Sequence, residues 1–449
     1  MESLDKIFLA YDIRGQVNID LTNRVVYDIG KGLADWLSKE GAIAVGYDMR
    51  PDSKELATNL INGLLEQGRY VINIGQVASD MIYFTVGHLK LAGGAMITAS
   101  HNPGDYNGIK LCQDNAKPIG QDTGLQKIKE LVKNQIFKTP SKQGTELVKD
   151  ITDEWINHIL NFIEIDKLKP FKIAVDAGNG MAGKIFPKLV PFVPFEVNEM
   201  YFELDGTFPN HIANPLIPEN LKDIKRVIKE KNLDLGLAFD GDGDRVVLID
   251  ENGDELSGTI LTALLSKYFL EHIPKSTIIY NAICGRVVPE TIKQYGGKGY
   301  RSRVGHSFIK NDMRQQNAIF AGEHSGHYYF KDNFMADSGL LAATIALYIV
   351  SISNQKLSEL VAPFRQAYHQ INEQNFNISD KLAVINKLKQ EFNDGEQDIL
   401  DGLTVSYSDS WFNVRPSNTE PLLRLNAEAK TIDQLDSLVK KVTNILTDQ

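Results

Sequence analysis

The sequence predicts an α/β protein with three related α/β domains with mixed sheets, followed by a smaller α+β domain at the carboxyl end. The main observation is a pattern that occurs three times, in which an apolar run leads into a tight polar or glycine-bearing turn. The three copies are AIAVGYDMR at 42–50, KIAVDAGNG at 172–180 and TIIYNAICG at 277–285. Each copy precedes a helix-compatible stretch and another strand, which is typical of α/β units. We therefore predict α/β domains at residues 1–150, 151–250 and 251–365.

The last part of the chain has a different pattern. From about residue 377 it contains a helical stretch, KLAVINKLKQEF, and then the strand-like runs LTVSYS, WFNVRPS and LLRLNAEA. A second helical stretch, IDQLDSLVKKVTNIL, closes it. A helix, a run of strands and another helix are typical of an α+β domain, which we place at residues 366–449.

Length and charge limit the class of protein. A chain of 449 residues is too long for one compact core, because domains usually contain roughly 100–150 residues. The 58 acidic and 48 basic residues give a net charge of −10, so the long-range field disfavours binding to nucleic acid. Any anionic substrate must therefore be bound by local basic groups or by a metal.

Cysteine content and hydropathy indicate a cellular compartment. Cys112 and Cys284 are the two cysteines, and nothing suggests a disulfide framework. The amino terminus lacks the apolar core of a signal peptide, and the apolar run at 339–352 is too short to span a bilayer. We expect a cytoplasmic protein without a membrane partner, whose apolar run forms a buried helix.

The hexapeptide DGDGDR lies between the apolar runs LGLAF and VVLID, which predicts a loop between two strands. Its carboxylates, Asp240, Asp242 and Asp244, can converge on one hard cation such as Mg²⁺ or Ca²⁺. One alternative is a solvated acidic turn. A calcium-hand loop is another, with Glu251 at its twelfth position, but Arg245 stands where that loop needs glycine, and a strand follows instead of a helix.

Three further motifs contain polar side chains that suit a phosphate, the hydroxyls of a polyol or proton exchange. RPSNTEP offers the guanidinium of Arg415 and the side chains of Ser417, Asn418 and Thr419, which suit the oxygens of a phosphate. The alternative is a polar β-turn held by its own side chains.

GEHSGHYYF contains Glu323 and Ser325, which can bond the hydroxyls of a polyol, and His324 and His327, which are alternative zinc ligands. VGHSFIK adds His306, whose ordinary pKa allows proton exchange near neutrality.

The segment MITASHNPGDYNGIK places Ser100 in a loop after a strand-like run, with His101, Asn102 and Lys110 around it. A serine is a weak nucleophile unless a base or a cation assists it. If Ser100 carries a phosphoryl group, the metal at the aspartates, Lys110 and Arg245 can balance its charge. The alternative is a helix cap or an Asx turn.

Six motifs occur along the chain in the order found in the α-D-phosphohexomutases: YDIRG, TASHNP, DGDGDR, VGHSFIK, GEHSGH and RPSNTEP. The chain therefore resembles that family from end to end, and more closely its bacterial phosphomannomutase/phosphoglucomutase branch. The resemblance implies three related α/β domains around a central cleft and a fourth domain similar to the TATA-box-binding protein.

The resemblance also implies roles. Ser100 is the expected phosphoserine, and with Asp240, Asp242 and Asp244 it binds Mg²⁺. The expected catalytic residues are Ser100, Lys110, Arg245 and His306, with Lys110 and His306 as candidate general acids or bases. The expected substrate-binding residues are Tyr11, Arg14, His101, Asn102, Glu323, Ser325, Arg415, Ser417, Asn418 and Thr419.

The implied reaction interconverts mannose 6-phosphate and mannose 1-phosphate through a 1,6-bisphosphate, with glucose or mannose 1,6-bisphosphate as activator. Activity on glucose phosphates is also expected, because contacts to the 3- and 4-hydroxyls do not distinguish epimers at carbon 2. Alternatives are a phosphoglucomutase, a phosphoglucosamine mutase, a metal-dependent sugar phosphatase and a non-catalytic sugar-phosphate-binding protein. We expect a hexose phosphate as the partner and a monomer or weak homo-oligomer.

Two positions depart from the branch. His324 stands where methionine is common, and Ile283 stands near the place of a substrate-contacting lysine. Arg286 is the neighbouring cation that could substitute for that lysine.

Overall fold

The computed structural model describes residues 2–417 and 422–447. The chain divides into two compact units, each with two chain segments. The first unit comprises Met1–Leu256 and Ser325–Leu360, and the second comprises Ser257–His324 and Val361–Gln449.

The α-helices in chain order are α1 (Glu2–Ile7), α2 (Asn23–Trp36), α3 (Ser53–Glu66), α4 (Ser79–His88), α5 (Leu125–Asn134), α6 (Thr152–Leu160), α7 (Ala182–Leu189), α8 (Lys222–Lys231), α9 (Gly258–His272), α10 (Val287–Gln294), α11 (His306–Gln316), α12 (Gly339–Ser353), α13 (Leu357–Arg365), α14 (Lys381–Glu391) and α15 (Ile432–Thr447).

The strands in chain order are β1 (Ile13–Gln16), β2 (Ile43–Tyr47), β3 (Val71–Gln76), β4 (Gly93–Ile97), β5 (Tyr106–Gln113), β6 (Lys117–Pro118), β7 (Glu146–Val148), β8 (Phe171–Asp176), β9 (Phe195–Met200), β10 (Leu235–Phe239), β11 (Val246–Asp250), β12 (Thr277–Asn281), β13 (Lys298–Ser302), β14 (Phe320–Gly322), β15 (Tyr328–Phe330), β16 (Ala336–Asp337), β17 (His369–Gln370), β18 (Gln374–Asn377), β19 (Glu396–Asp398), β20 (Leu403–Ser406), β21 (Ser410–Pro416) and β22 (Leu422–Ala429).

The first unit contains two mixed sheets. In the larger one the order is β1-β5-β4-β2-β3-β7, with β6 beside β5. Strands β4, β2, β3 and β7 are parallel to one another, whereas β5 is antiparallel to β4 and β1. The smaller sheet has the order β11-β10-β8-β9, in which β10, β8 and β9 are parallel and β11 is antiparallel. These mixed sheets confirm the predicted fold class.

Apolar periodicity explains how helices cover these sheets. Helices α2 and α3 contribute Ile29, Leu33, Leu60 and Leu64 to one core with Val45 of β2. Because such residues recur every three or four positions, each helix presents one apolar face to the sheet. Helix α8 covers the smaller sheet in the same way.

Helix α12 confirms the prediction for the apolar run at 339–352. It begins after Ser338, whose hydroxyl accepts a hydrogen bond from Leu341 N at 3.0 Å, and almost all of its residues are buried. No single helix in residues 2–417 and 422–447 is long and apolar enough to cross a membrane. Helices α12 and α13 pass that test by length and composition only as a sharply bent pair.

The second unit combines parallel and antiparallel sheets. Strand β12 lies between β13 and β14 and is parallel to both. In the carboxyl-terminal part, β22 pairs with β17, β18 and β21, and β20 lies between β21 and β19, all antiparallel. Helices α14 and α15 contribute Leu388 and Val442 to the core of this sheet. The predicted carboxyl-terminal α+β domain is therefore confirmed, with β17, β18 and β19 as short strands that the sequence pattern did not predict.

Candidate active site

Two loops of the first unit carry the predicted phosphoserine and the acidic triplet. The first connects β4 to β5, and the second connects β10 to β11. Both follow the carboxyl end of a strand that has a parallel neighbour, which is where open α/β sheets commonly bind ligands. The placement of DGDGDR between two strands agrees with its predicted position.

The hydroxyl of Ser100 lies between a carboxylate and an imidazole. Its Oγ donates a hydrogen bond of 2.6 Å to Asp240 Oδ2 and lies 3.0 Å from His101 Nδ1. Because the serine hydroxyl has one proton, a bond to Asp240 leaves His101 Nδ1–H as the donor in the second contact. Burial lowers the pKa of His101 well below its ordinary value, and the positive charges of Arg245 and Arg14 lower it further, so the ring is neutral.

The two loops approach each other closely because Gly241 has no side chain. A Cβ at this position would lie 2.5 Å from the carbonyl oxygen of Ser100, a distance that real Cβ atoms do not adopt. Ser100 itself has a positive φ of 50°, which is uncommon for a residue with a side chain and often marks a functional position. Any residue larger than glycine at position 241 would push the serine loop away from the acidic loop.

Arg50, which the sequence motifs did not single out, holds the Ser100 loop. Its Nη2 donates to the carbonyl oxygens of Ser100 (3.0 Å) and Asn102 (2.6 Å), and its Nη1 donates to those of Pro103 (2.7 Å) and Tyr106 (2.8 Å). The side chain is buried, so these bonds fix the loop backbone in a place shielded from water.

Lys110 connects two members of the acidic triplet. Its ammonium lies 2.6 Å from Asp242 Oδ2 and 2.5 Å from Asp244 Oδ2. Burial alone would lower the pKa of Lys110, but these two carboxylates raise it well above its ordinary value. Lys110 is therefore charged and balances part of the negative charge of the triplet.

The triplet is suited to a divalent cation. Asp240, Asp242 and Asp244 are all buried, and one oxygen of each lies within 4.8 Å of the others. Burial raises the pKa of Asp240, and the carboxylates of Asp244 and Asp242 raise it further. Asp242 Oδ1 is buried and accepts no hydrogen bond, so it is available as a ligand, whereas Asp244 Oδ1 lies 3.4 Å from His327 Nε2. Oxygen donors of this kind suit Mg²⁺, so the residues fit the metal that the family resemblance implies.

Arg245 lies beside the triplet and contacts the loop after β14. Its backbone N–H donates to Asp240 Oδ1 at 3.1 Å, and its Nε donates to His327 Nε2 at 3.1 Å. His327 Nδ1 lies 3.1 Å from the hydroxyl of Ser325. The structure therefore brings Ser325 close to the acidic loop through His327, which is also 3.4 Å from Asp244 Oδ1.

The predicted residues from the amino terminus also lie near the serine loop. Arg14 donates to Asn102 Oδ1 at 2.6 Å and to Asp12 Oδ2 at 2.9 Å, and it interacts electrostatically with Tyr11. The structure thus brings Tyr11, Arg14 and Asn102 together in the first unit.

The remaining predicted residues belong to the second unit. Glu323 is buried, and its Oε2 accepts hydrogen bonds from Asn281 Nδ2 at 3.1 Å and from Gly305 N at 3.2 Å. Gly305, with a φ of 134° that favours glycine, immediately precedes His306 at the start of α11. Glu323 and His306 are therefore linked through the Gly305 backbone.

The two positions that depart from the branch have defined surroundings. His324 Nδ1 lies 2.9 Å from Thr259 Oγ1, and in the described residues no group of three potential metal ligands includes His324. The guanidinium of Arg286 donates to the carbonyl oxygens of Tyr407, Ser408 and Ser410. Arg286 therefore binds backbone carbonyls of the carboxyl-terminal part. This contact argues against the expectation that it substitutes for a lysine near Ile283.

Arg415 lies in an ion cluster that the sequence did not predict. Its Nη2 is 3.0 Å from Glu373 Oε2, while Arg424 Nη1 is 2.8 Å from Glu373 Oε1. Asn426 Nδ2 donates to Glu373 Oε2 at 2.9 Å. Ser417 follows β21, and the other two members of the predicted phosphate loop, Asn418 and Thr419, lie outside the described residues.

Comparison with known proteins agrees with these features. Four family models match in order: "Phosphoglucomutase/phosphomannomutase, alpha/beta/alpha domain" I at residues 5–139, II at 153–253 and III at 257–368, and the "C-terminal domain" at 373–445.

Similar proteins match nearly the whole chain. A "Phosphohexose mutases" protein of Xanthomonas campestris is 38% identical and a "Phosphomannomutase" of Vibrio cholerae is 36% identical, covering 98% and 97% of this chain and 98% of each relative. A crystal structure of a phosphoglucomutase/phosphomannomutase family protein from Burkholderia thailandensis has a TM-score of 0.90 and 31% identity. It covers 99% of this chain and 97% of its own. These matches confirm the predicted resemblance: the chain belongs to the phosphoglucomutase/phosphomannomutase family of α-D-phosphohexomutases.

Proposed function

We propose that the protein is a phosphomannomutase that interconverts mannose 6-phosphate and mannose 1-phosphate and also acts on glucose phosphates. The observation that carries this proposal is the 2.6 Å hydrogen bond from Ser100 Oγ to Asp240, within a buried triplet that also binds Lys110. A hydroxyl in this position can exchange a phosphoryl group while cations balance the charge. Relatives named phosphomannomutase, at 35–37% identity, support the choice of substrate.

In the first half-reaction the phosphoryl group leaves phosphorylated Ser100. Phosphorus bonds to the oxygen of the free 1- or 6-hydroxyl of the sugar phosphate as its bond to Oγ breaks. The proton of the sugar hydroxyl passes to a base, and an acid supplies a proton to Oγ. Lys110 and His306 are the candidate acid and base groups. Arg245 lies beside the triplet and stabilises the charge of the group in transfer. Ser100 and the three aspartates would hold Mg²⁺, which would supply a fixed positive charge there.

In the second half-reaction the 1,6-bisphosphate returns its other phosphoryl group to Ser100. The bond from phosphorus to the sugar oxygen breaks as the bond to Oγ forms again. The Oγ proton passes to a base, and an acid returns a proton to the sugar oxygen. The isomeric monophosphate is released and the phosphorylated serine is regenerated. A free bisphosphate can also phosphorylate Ser100, so glucose or mannose 1,6-bisphosphate acts as an activator.

We assign recognition of the sugar phosphate to the remaining residues. Arg415, Ser417, Asn418 and Thr419 bind the phosphate that is not transferred, and the buried guanidinium of Arg415 supports this role. Glu323 and Ser325 bond sugar hydroxyls, while Tyr11, Arg14, His101 and Asn102 line the site near Ser100. The contacts of Glu323 and Ser325 are to the 3- and 4-hydroxyls and do not distinguish the epimers at carbon 2. Both mannose and glucose phosphates are therefore accepted.

The proposal also concerns the cell compartment. Cys112 and Cys284 are both buried and do not form a disulfide, which fits a reducing cytoplasm.

A substrate panel tests this function. The purified protein is supplied with Mg²⁺, glucose 1,6-bisphosphate and either mannose 1-phosphate, glucose 1-phosphate or glucosamine 1-phosphate, and the 6-phosphates and free phosphate are measured. The proposal predicts fast isomerisation of the mannose and glucose phosphates, slow turnover of the glucosamine phosphate and little free phosphate. Release of phosphate without isomer would indicate a phosphatase. A preference for glucosamine 1-phosphate would replace the assigned substrate.

A further inference from the structure

The two oxygens of the Asp242 carboxylate have different surroundings. Oδ2 accepts hydrogen bonds from Ser79 Oγ at 2.5 Å, Lys110 Nζ at 2.6 Å and Thr98 Oγ1 at 3.3 Å. Oδ1 is buried and accepts none. A buried carboxylate oxygen without a donor is costly, and a cation bound at Oδ1 would offset that cost.

Ser79 holds Asp242 in two ways. It is the first residue of α4 and is completely buried. Besides the bond from its hydroxyl, its backbone N–H donates to the carbonyl oxygen of Asp242 at 3.0 Å. The first N–H groups of a helix have no partner within the helix, so this bond also satisfies one end of α4. The partial positive charge at that end favours the nearby carboxylate.

Ser79 and Lys110, two donors to Asp242 Oδ2, differ in their other contacts. The ammonium of Lys110 also donates to Asp244, and in the proposed reaction Lys110 is a candidate acid or base group for phosphoryl transfer. The hydroxyl of Ser79, at the amino end of α4, contacts Asp242. Donors that bond to a metal-binding carboxylate without contacting the metal commonly orient that carboxylate.

We propose that Ser79 is a positioning residue for the metal site, which binds Asp242 Oδ2 and thereby directs Oδ1 to the divalent cation. This inference rests on the proposed function only in taking the cation to be Mg²⁺. Ser79 contacts neither the cation nor the substrate in this role. Its effect is therefore on the affinity for Mg²⁺ and, through that affinity, on turnover.

The test compares Mg²⁺ binding by Ser79→Ala and by the unchanged protein in an isothermal calorimetric titration, at a temperature where both are folded. We expect the Mg²⁺ midpoint, the free concentration at which half of the sites are occupied, to rise about tenfold, because removal of such a donor typically weakens metal binding by 10–100-fold. Ser79→Thr retains a hydroxyl and should restore most of the affinity. If Ser79→Ala does not fold, Ser79→Cys keeps the shape, replaces the hydroxyl by a weak donor, and should shift the midpoint in the same direction.

Ser302→Ala is the matched control. Ser302 is buried and donates a hydrogen bond of 2.6 Å to Asp312, a carboxylate outside the triplet. Its loss should lower the unfolding temperature without changing the Mg²⁺ midpoint. An equal midpoint in Ser79→Ala and the unchanged protein would overturn the inference, as would an equal shift in the Ser302 variant. Absence of mutase turnover in the unchanged protein would overturn the proposed function and leave this binding test intact.

Discussion

The hydroxyl of Ser100 and the carboxylate of Asp240 are 140 positions apart in the chain, yet they form a hydrogen bond of 2.6 Å. Each residue follows a strand that belongs to a different sheet of the first unit. The contact requires the close approach of the two loops at Gly241. The serine is thereby placed next to the carboxylates that suit a divalent cation.

The close approach at Gly241 predicts a large effect of Gly241→Ala. The added Cβ would meet the Ser100 carbonyl oxygen at 2.5 Å, so one of the loops must move. We expect turnover to fall at least about tenfold, since small displacements of reacting groups are costly. Steady-state kinetics of mannose 1-phosphate isomerisation measures this effect. Gly299→Ala is the control, because its nearest contact would be 3.2 Å to a tyrosine side chain; equal activities in the two variants would contradict the prediction.

The position of Lys110 predicts that Lys110→Met destabilises the protein without Mg²⁺. The change leaves Asp242 and Asp244 without their buried cation, and breaking a buried pair typically costs about 3–5 kcal/mol. Urea unfolding in the presence of a chelator measures the free energy of unfolding. Lys129→Met, which loses a bond to the exposed carboxylate of Asp5, should cause a much smaller loss. Similar losses in both variants would show that the triplet does not depend on Lys110.

Removal of the metal should lower stability through the acidic triplet. A ligand that binds only the folded protein stabilises it by about 2.7 kcal/mol at a concentration of 100 times its Kd. We therefore expect chelation of Mg²⁺ to lower the unfolding temperature, and Asp244→Asn to remove most of that response. Differential scanning calorimetry with and without Mg²⁺ measures it. A full response in the Asp244 variant would place the cation elsewhere.

The bonds of Arg286 predict a structural role for that residue. Arg286→Met loses donors to three backbone carbonyls, and hydrogen bonds to charged groups contribute roughly 1.5–3 kcal/mol each to stability. We expect a lower free energy of unfolding with less than about a threefold change in KM for mannose 1-phosphate, a factor worth only a fraction of a kcal/mol. Denaturant unfolding and steady-state kinetics measure the two quantities. A large rise in KM at unchanged stability would instead support substitution for the missing lysine.

His158 predicts a dependence of stability on pH. Its Nε2 lies 3.1 Å from Asn333 Oδ1, and burial lowers the pKa of His158 although this hydrogen bond raises it. The unfolded chain then binds the proton more readily, so the contribution of His158 is fully present above about pH 6.5. It is lost as the pH falls through the lower pKa of the folded protein. We expect His158→Gln to weaken the decline of the unfolding temperature between about pH 7 and pH 5. An identical pH profile in the variant would contradict this account.

Local patterns predicted most of the fold. The runs at 42–50, 172–180 and 277–285 alternate apolar strand and turn, and each contains a strand in the structure. Strands β17, β18 and β19 were not predicted because they are short and mostly polar. Their sequences therefore lack the apolar alternation that indicates a strand. Pairing with β22 and β20 holds them in place.

The residues that hold the candidate site in place were harder to predict than the motifs that form it. Ser100 and the three aspartates lie in compact motifs, whereas Arg50 acts by donating to backbone carbonyls, which any sequence provides. Asp48 and Arg50 directly follow β2, and polar residues at the end of a buried strand were the available signal. Glu373 gave no such signal, because its partners Arg415 and Arg424 become neighbours only when β21 and β22 pair.

The most direct measurement asks whether Ser100 carries the transferred phosphoryl group. The protein is incubated with Mg²⁺ and isotopically labelled glucose 1,6-bisphosphate, and the label is located by peptide mapping. The account predicts one labelled phosphoryl group per chain on Ser100, its loss when mannose 1-phosphate is added, and no label in Ser100→Ala. Normal turnover in Ser100→Ala, or label that resides on another residue, would contradict it.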